Sequence, residues 1–126
     1  MDLSVVIPLY NESESIEELN TWVINTLNNR SISFEIIYVN DGSSDGSWNI
    51  IKRLADGSNN IKGISFSKNF GKSQALNSGF IECKGKYVAT LDADLQDSPE
   101  EIPEMINKLK EEELDLISGW KKKRYD

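Results

Sequence analysis

Segments typical of strands and of helices alternate along this chain, and that alternation restricts the folds that it can adopt. The strand-like runs are short and apolar, as in strands that are buried on both faces. They lie at residues 3–7, 34–39, 61–66, 87–91 and 114–118. Between them apolar side chains recur at helical spacing, as from Ile16 to Leu27. The pattern predicts an α/β fold with a mostly parallel sheet and helices on both faces.

Proline and capping residues predict where these elements begin and end. Pro8 is expected to end the first strand, and Asn11 or Ser13 to cap the helix that follows. Residues 98–101 have the form of a capping box with proline at the first helical position. A short turn there, with the main helix beginning at Pro103, is the expected arrangement.

Composition excludes several classes of function. The chain has 126 residues, which suits one domain with a hydrophobic core. Its net charge of -7 argues against nucleic-acid binding, which requires a basic face. The sequence contains no His, so catalytic triads and zinc sites that depend on His are excluded. Its single cysteine, Cys83, cannot form an internal disulfide.

No apolar run approaches the ~18 residues of a membrane span, and the first residues lack the features of a signal peptide. We therefore expect a cytoplasmic location. The basic run at 121–124 is typical of a solvated tail, but it also permits a role at a phosphate or at a membrane surface.

A polar loop follows each of the first four predicted strands. In parallel sheets, ligands bind beyond the carboxyl ends of the strands, so these loops predict one site at one edge. Their polar residues include Pro8-Tyr10-Glu12, Asn40-Asp41-Gly42, Ser67-Asn69-Lys72 and Asp92-Asp94-Gln96.

The fourth of these loops contains the candidate metal ligands. The strand is expected to end at Asp92, and residues two apart in an extended segment point the same way. Asp92, Asp94 and Gln96 would then form an all-oxygen site that suits Mg2+ or Mn2+. The alternative is a simple turn, because Asp-x-Asp occurs often by chance.

Two other loops contain candidate ligand contacts. Asp41 lies at the end of the second strand, where an acidic side chain often accepts hydrogen bonds from a ribose or a base, although a capped turn is the alternative. Gly71-Lys72-Ser73 is not a Walker loop, because that motif needs glycine at position 66, which is Phe66. Lys72 is therefore a candidate phosphate contact or a solvated lysine.

Four segments in this order and spacing resemble glycosyltransferase family 2: Val6 to Glu12, Asn40 to Gly46, Lys68 to Lys72 and Leu91 to Glu100. The resemblance covers the whole chain and is strongest to the polyprenyl-phosphate branch, which is similar to dolichyl-phosphate mannose synthase. It implies the Rossmann-like GT-A fold, a divalent metal, a UDP- or GDP-sugar donor and a polyprenyl-phosphate acceptor.

The resemblance also implies roles for individual residues. Asp94 would be the catalytic residue, and Lys121 would lie near the diphosphate where the family often has Arg. The metal would be surrounded by Asp92, Asp94 and Gln96. The nucleotide would be held by Pro8, Tyr10, Glu12, Val39, Asp41, Asp92, Ala93 and Lys121, and Lys72 is added to them as the candidate phosphate contact named above.

The mechanism implied by the resemblance is direct displacement with inversion at the sugar. A phosphomonoester acceptor has a second pKa near ~6, so it is largely ionised and needs little help from a base. This agrees with a sequence that contains no His. Two alternatives stay open, which are transfer to a sugar or polysaccharide and a nucleotide-binding module without transferase activity.

Catalytic domains of the family run beyond residue 126. The resemblance therefore implies that residues 1–126 are the donor-binding part of one truncated GT-A domain, without its acceptor side. The absent part would contact the membrane at its cytoplasmic face. We expect a chain of this length to be inactive alone, and to self-associate or be poorly stable through exposed sheet surface.

Overall fold

The computed structural model of the chain describes residues 1–95 and 98–112. Strands and helices alternate along it, as the sequence predicts. The strands are β1 (Leu3–Leu9), β2 (Phe34–Asn40), β3 (Ile61–Ser65) and β4 (Tyr87–Thr90). The helices are α1 (Ile16–Asn29), α2 (Ser47–Asp56), α3 (Lys72–Glu82) and α4 (Ile102–Glu112), with a 3-10 turn at Pro99–Glu101.

The four strands form one parallel sheet in the order β3-β2-β1-β4. Pro8 pairs with Val39 across β1 and β2, and Val6 pairs with Thr90 across β1 and β4. The predicted parallel α/β sheet is thus confirmed. Because all the strands run the same way, the loops that follow them lie at one edge.

Helices cover both faces of the sheet because the side chains of each strand alternate between the two faces. On one face, apolar side chains of β1 and β2 such as Val5 and Ile36 pack in one buried cluster with α1, α2 and α4. On the other face, Val6, Ile37 and Val39 pack against α3 through Ala75.

Helix α3 lies unusually close to the sheet. Gly79 of α3 faces Val6, and a Cβ atom built on this glycine would lie 2.4 Å from the Cγ1 atom of Val6. Ala75, one turn earlier, is also fully buried. The two small residues allow close contact, which fixes the start of α3 at the carboxyl edge of the sheet.

Pro8 lies inside β1 and does not end it, so that expectation was wrong. The carbonyl of Val6 accepts a hydrogen bond from the Leu91 N–H at 3.1 Å, so the backbone groups of Val6 face β4. Those of Pro8, two residues on, face the same side, where β4 has already ended at Thr90. Proline therefore removes no ladder hydrogen bond at this position.

The predicted turn and helix after β4 are confirmed to within one residue, but the predicted capping of α1 is wrong. The N-cap position of α1 is Ser15, so neither Asn11 nor Ser13 caps that helix. Ser98 accepts a hydrogen bond from the Glu100 N–H at 3.3 Å, as a capping residue should. Helix α4 then begins at Ile102, one residue before the predicted start. The predicted fifth strand, 114–118, lies outside the described residues.

At the opposite, amino edge of the sheet, a buried carboxylate joins neighbouring strands through hydrogen bonds and an ion pair. The Oε2 atom of Glu35 accepts hydrogen bonds from the Ser4 hydroxyl at 2.5 Å and the Lys84 N–H at 2.6 Å. Lys62 pairs with its Oε1 atom at 3.1 Å. Burial alone would raise the pKa of Glu35, but these three donors outweigh it and lower that pKa.

Within residues 1–95 and 98–112, none of the helices combines the length and the apolar character that a membrane span requires.

Candidate functional site

A cleft of about 360 Å³ lies at the carboxyl edge of the sheet, beyond β1, β2 and β4. It contains every described residue that the sequence assigned to a nucleotide or a metal, with the exception of Val39. The lining residues are Pro8, Leu9, Tyr10, Glu12, Asp41, Asn69, Gly71, Lys72, Asp92, Ala93 and Asp94. Loops that are far apart in sequence thus converge as expected.

Among the described residues, one predicted site residue does not line the cleft, and two others cannot be placed. Val39 is fully buried and packs with Val6 and Ile37 in the cluster that faces α3. Gln96 and Lys121 lie outside the described residues. The roles assigned to these three residues stay predictions.

The acidic pair is presented by a turn, because β4 ends at Thr90 and not at Asp92. Ala93, between the two carboxylates, is 3% exposed and faces the core. Its carbonyl accepts a hydrogen bond from the Ser15 hydroxyl at 2.6 Å, which fastens the turn to the start of α1. Asp92 and Asp94 therefore line the same cleft although they do not belong to a strand.

Lys72, the first residue of α3, forms an ion pair with Asp92. Its Nζ atom lies 2.8 Å from Oδ1 of Asp92. The lysine side chain is 49% exposed and the aspartate side chain 25% exposed. The sequence did not predict this pair, because the two residues are 20 positions apart and only the folded chain brings them together.

The donor set of the cleft fits a divalent cation that binds together with phosphate. Within residues 1–95 and 98–112 no group of three or more His, Cys, Asp or Glu side chains could hold a metal ion. Mg2+ is usually bound by one or two carboxylates, and phosphates and waters supply the remaining oxygens. Asp92 and Asp94 match that requirement, and the ammonium group of Lys72 already places a positive charge against Asp92.

Asp41 organises the loop between β3 and α3. It is 4% exposed, and its Oδ1 atom accepts a hydrogen bond from the Phe70 N–H at 2.7 Å. Its Oδ2 atom accepts another from the Gly71 N–H at 3.0 Å. Sequence reasoning assigned Asp41 to a base or ribose and missed these contacts. They place Asn69 and Gly71 in the cleft wall.

Asn11 joins the loop after β1 to the loop after β2. Its φ of 53° is in the left-handed region, which Asn tolerates better than most residues. Its Oδ1 atom accepts hydrogen bonds from the N–H groups of Ser44 at 2.8 Å and Asp45 at 3.2 Å. Its own N–H donates to the Ser43 hydroxyl at 2.8 Å. The side chain expected to cap α1 thus holds two loops together.

Asp45 connects the same two loops from the other side. Its Oδ1 atom accepts hydrogen bonds from the Ser47 N–H at 2.9 Å and the Ser47 hydroxyl at 2.5 Å. The Ser13 N–H donates to its Oδ2 atom at 3.2 Å. Slight burial opposes ionisation, but the donors at Ser47 and Ser13 prevail and lower the pKa of Asp45 to about 2.

We expect Asp45→Asn to lower the free energy of unfolding at neutral pH by about 0.5–1 kcal/mol, a small value because the side chain is exposed. The pKa of Asp45 lies below its ordinary 3.8, so its contribution is complete above that value and is lost as the pH falls towards 2. The difference between the wild-type chain and the variant should therefore be constant from pH 7 to 5 and shrink below pH 4. Urea unfolding over this pH range measures it.

The control for that experiment is Asp56→Asn, which alters an exposed aspartate at the end of α2. It should not reproduce the pH-dependent difference. A difference that stays constant down to pH 2.5 would contradict the role assigned to Asp45.

Comparison with known proteins gives a family and a fold. The model of the family described as Glycosyl transferase family 2 matches residues 4–126. A protein of Rhizobium johnstonii named dodecaprenyl-phosphate galacturonate synthase is 35% identical over 127 residues, which cover 100% of this chain and 38% of that protein. An undecaprenyl-phosphate 4-deoxy-4-formamido-L-arabinose transferase of Pseudomonas syringae is 38% identical over 125 residues, which cover 98% of this chain and 37% of that protein.

The chain thus spans a little over a third of the length of these curated relatives. Among solved structures, the mannosyltransferase PcManGT from Pyrobaculum calidifontis, in complex with GDP-Man and Mn2+, matches with a TM-score of 0.66 and 24% identity. The match covers 86% of this chain and 31% of that one. It shows a shared fold, and the expected GT-A fold is confirmed.

Proposed function

Because the chain belongs to glycosyltransferase family 2, we propose that it is the donor-binding part of a polyprenyl-phosphate glycosyltransferase. The reaction is the metal-dependent transfer of a hexose from a UDP- or GDP-sugar to a polyprenyl phosphate, with inversion at the sugar. The main support for this proposal is that one cleft contains an acidic pair, a lysine at a helix start and the ends of three parallel strands.

The nucleoside is assigned to the side of the cleft formed by the loops after β1 and β2. Pro8, Tyr10, Glu12 and Asp41 line this side. Tyr10 is 49% exposed, so its ring is accessible for stacking on a base. The hydrogen bonds of Asn11 and Asp45 join these two loops and stabilise the conformation of this side of the cleft.

The diphosphate is assigned to the other side, between Lys72 and the acidic pair. Asp92 and Asp94, together with Gln96, would hold Mg2+ or Mn2+. Asp94 is proposed as the catalytic residue because it holds this cation. A cation held there would neutralise the negative charge that develops on the departing nucleoside diphosphate. Lys72 adds a positive charge from the protein itself, at the N-terminus of α3, where the helix dipole also favours an anion.

The acceptor is proposed from the curated relatives, whose names specify dodecaprenyl and undecaprenyl phosphate. Such an acceptor carries an ionised phosphate, which attacks without a strong general base. A chain with no His suits that chemistry. The lipid tail of the acceptor implies a reaction at a membrane. We propose that it takes place at the cytoplasmic face, with the membrane contact made outside the donor-binding part.

Calorimetry with UDP-glucose and GDP-mannose, with and without Mn2+, tests the proposal. We expect one of the two to bind the chain, and its affinity to rise at least about tenfold when Mn2+ is present. Uridine and guanosine, which lack the diphosphate, should show no dependence on Mn2+. The proposal is wrong if neither nucleotide sugar binds, or if Mn2+ changes neither affinity.

A further inference from the structure

The ion pair between Lys72 and Asp92 lies inside the cleft assigned to the donor. A lysine on one wall, 2.8 Å from an aspartate on the other, lowers the negative charge of the acidic pair. Both residues line the cleft, together with Asp94. The carboxylate proposed to bind a divalent cation is therefore already in contact with a positively charged group of the protein.

The backbone that carries Lys72 is fixed, although its side chain is not. Asp41 holds the N–H groups of Phe70 and Gly71, directly before Lys72. The close contact between Gly79 and Val6 fixes α3 against the sheet. The lysine side chain itself is 49% exposed, and its four-carbon stem is flexible. Its ammonium group can therefore change partners without any change in the backbone.

We propose that Lys72 is an exchangeable counter-ion, which competes with a divalent cation for Asp92 and pairs with the diphosphate when metal and nucleotide bind together. This inference rests on the proposed function and deepens it. Two cations that approach one carboxylate repel each other. The diphosphate offers Lys72 another set of anionic oxygens, so after the exchange both Lys72 and Asp92 still contact an opposite charge.

The exchange gives Lys72 two opposite effects on binding. It opposes the binding of a divalent cation alone, because that cation has to displace the ammonium group from Asp92. It favours the binding of nucleotide with metal, because the displaced ammonium group contacts phosphate. By linkage, the metal and the nucleotide then strengthen each other's binding more than they would without Lys72.

The decisive experiment compares the wild-type chain with Lys72→Met in two titrations. The first follows Mn2+ alone by the electron paramagnetic resonance signal of the free ion. The second follows UDP and GDP by calorimetry at saturating Mn2+. We expect the variant to bind Mn2+ alone about threefold more tightly, and to bind the nucleoside diphosphate about tenfold more weakly.

The matched control is Lys68→Met, which removes the same charge from the loop that precedes α3. Lys68 is exposed, lies over the ring of Phe70 at 5.2 Å and does not line the cleft. It should change both affinities by less than about twofold. In an Asp92→Asn background, Lys72→Met should no longer tighten Mn2+ binding, because the group for which the two cations compete is neutral.

The outcomes distinguish this inference from the function on which it rests. If the wild-type chain binds nucleotide in a Mn2+-dependent way, and Lys72→Met leaves Mn2+ binding unchanged or weaker, the exchange alone is overturned. If the wild-type chain binds neither UDP nor GDP with Mn2+, both the exchange and the proposed function are overturned. Tighter Mn2+ binding together with weaker nucleotide binding in Lys72→Met supports the exchange.

Discussion

We expect Asp94→Asn to weaken Mn2+-dependent binding of UDP or GDP about 100-fold, which corresponds to roughly 2.8 kcal/mol. Asp94 lines the cleft beside Asp92, and the two are the carboxylates assigned to the cation. Asparagine keeps the shape of the side chain and removes its charge. The remaining site then offers the cation one carboxylate, and the negative charge of the diphosphate is neutralised less well. Calorimetry at saturating Mn2+ measures the effect.

Two controls separate this loss from a general disturbance of the protein. Asp56→Asn removes an exposed carboxylate from α2 and should leave nucleotide affinity unchanged. Uridine and guanosine should bind the Asp94→Asn variant as they bind the wild-type chain, because their proposed contacts are on the other side of the cleft. If Asp94→Asn binds the nucleoside diphosphate within about twofold of the wild-type affinity, Asp94 does not hold the cation.

The fold was predictable because its signals are local. Runs such as Ile36 to Val39 are apolar throughout, and polar loops divide them from segments of helical periodicity. Errors arose where a local rule depends on a distant neighbour. Pro8 is tolerated in β1 because β4 ends at Thr90, a fact that no residue near Pro8 reveals. The order of the strands likewise depends on packing between segments far apart in sequence.

The composition of the site was predictable, but its internal contacts were not. Each predicted loop follows a strand, and in a parallel sheet such loops share an edge, so their convergence follows from topology. The partners of individual side chains depend on how the loops cross that edge. Asp41 was expected to contact a ligand directly, and it also holds the N–H groups of Phe70 and Gly71. Asn11 was expected to cap a helix, and instead it accepts hydrogen bonds from the next loop.

The largest effect on stability is expected for Gly42→Ala, with a loss of about 3 kcal/mol in the free energy of unfolding. Gly42 has a φ of +75°, which is unfavourable for any residue with a Cβ atom. An added Cβ would lie 2.2 Å from the carbonyl carbon of Lys68 and 2.4 Å from the nitrogen of Asn69. Both are backbone atoms, so the loop itself has to move. Urea unfolding measures the loss.

The displaced loop is the one that carries Lys72 to Asp92, so Gly42→Ala should also weaken Mn2+-dependent nucleotide binding. The matched control is Gly46→Ala in the same loop, where a Cβ atom meets nothing within 4 Å. Gly46 has a φ of -80°, which alanine adopts without strain. If Gly42→Ala is as stable as Gly46→Ala, the loop after β3 can move away from Gly42 without loss of stability. The position of Lys72 would then not depend on the contact between the loops after β2 and β3.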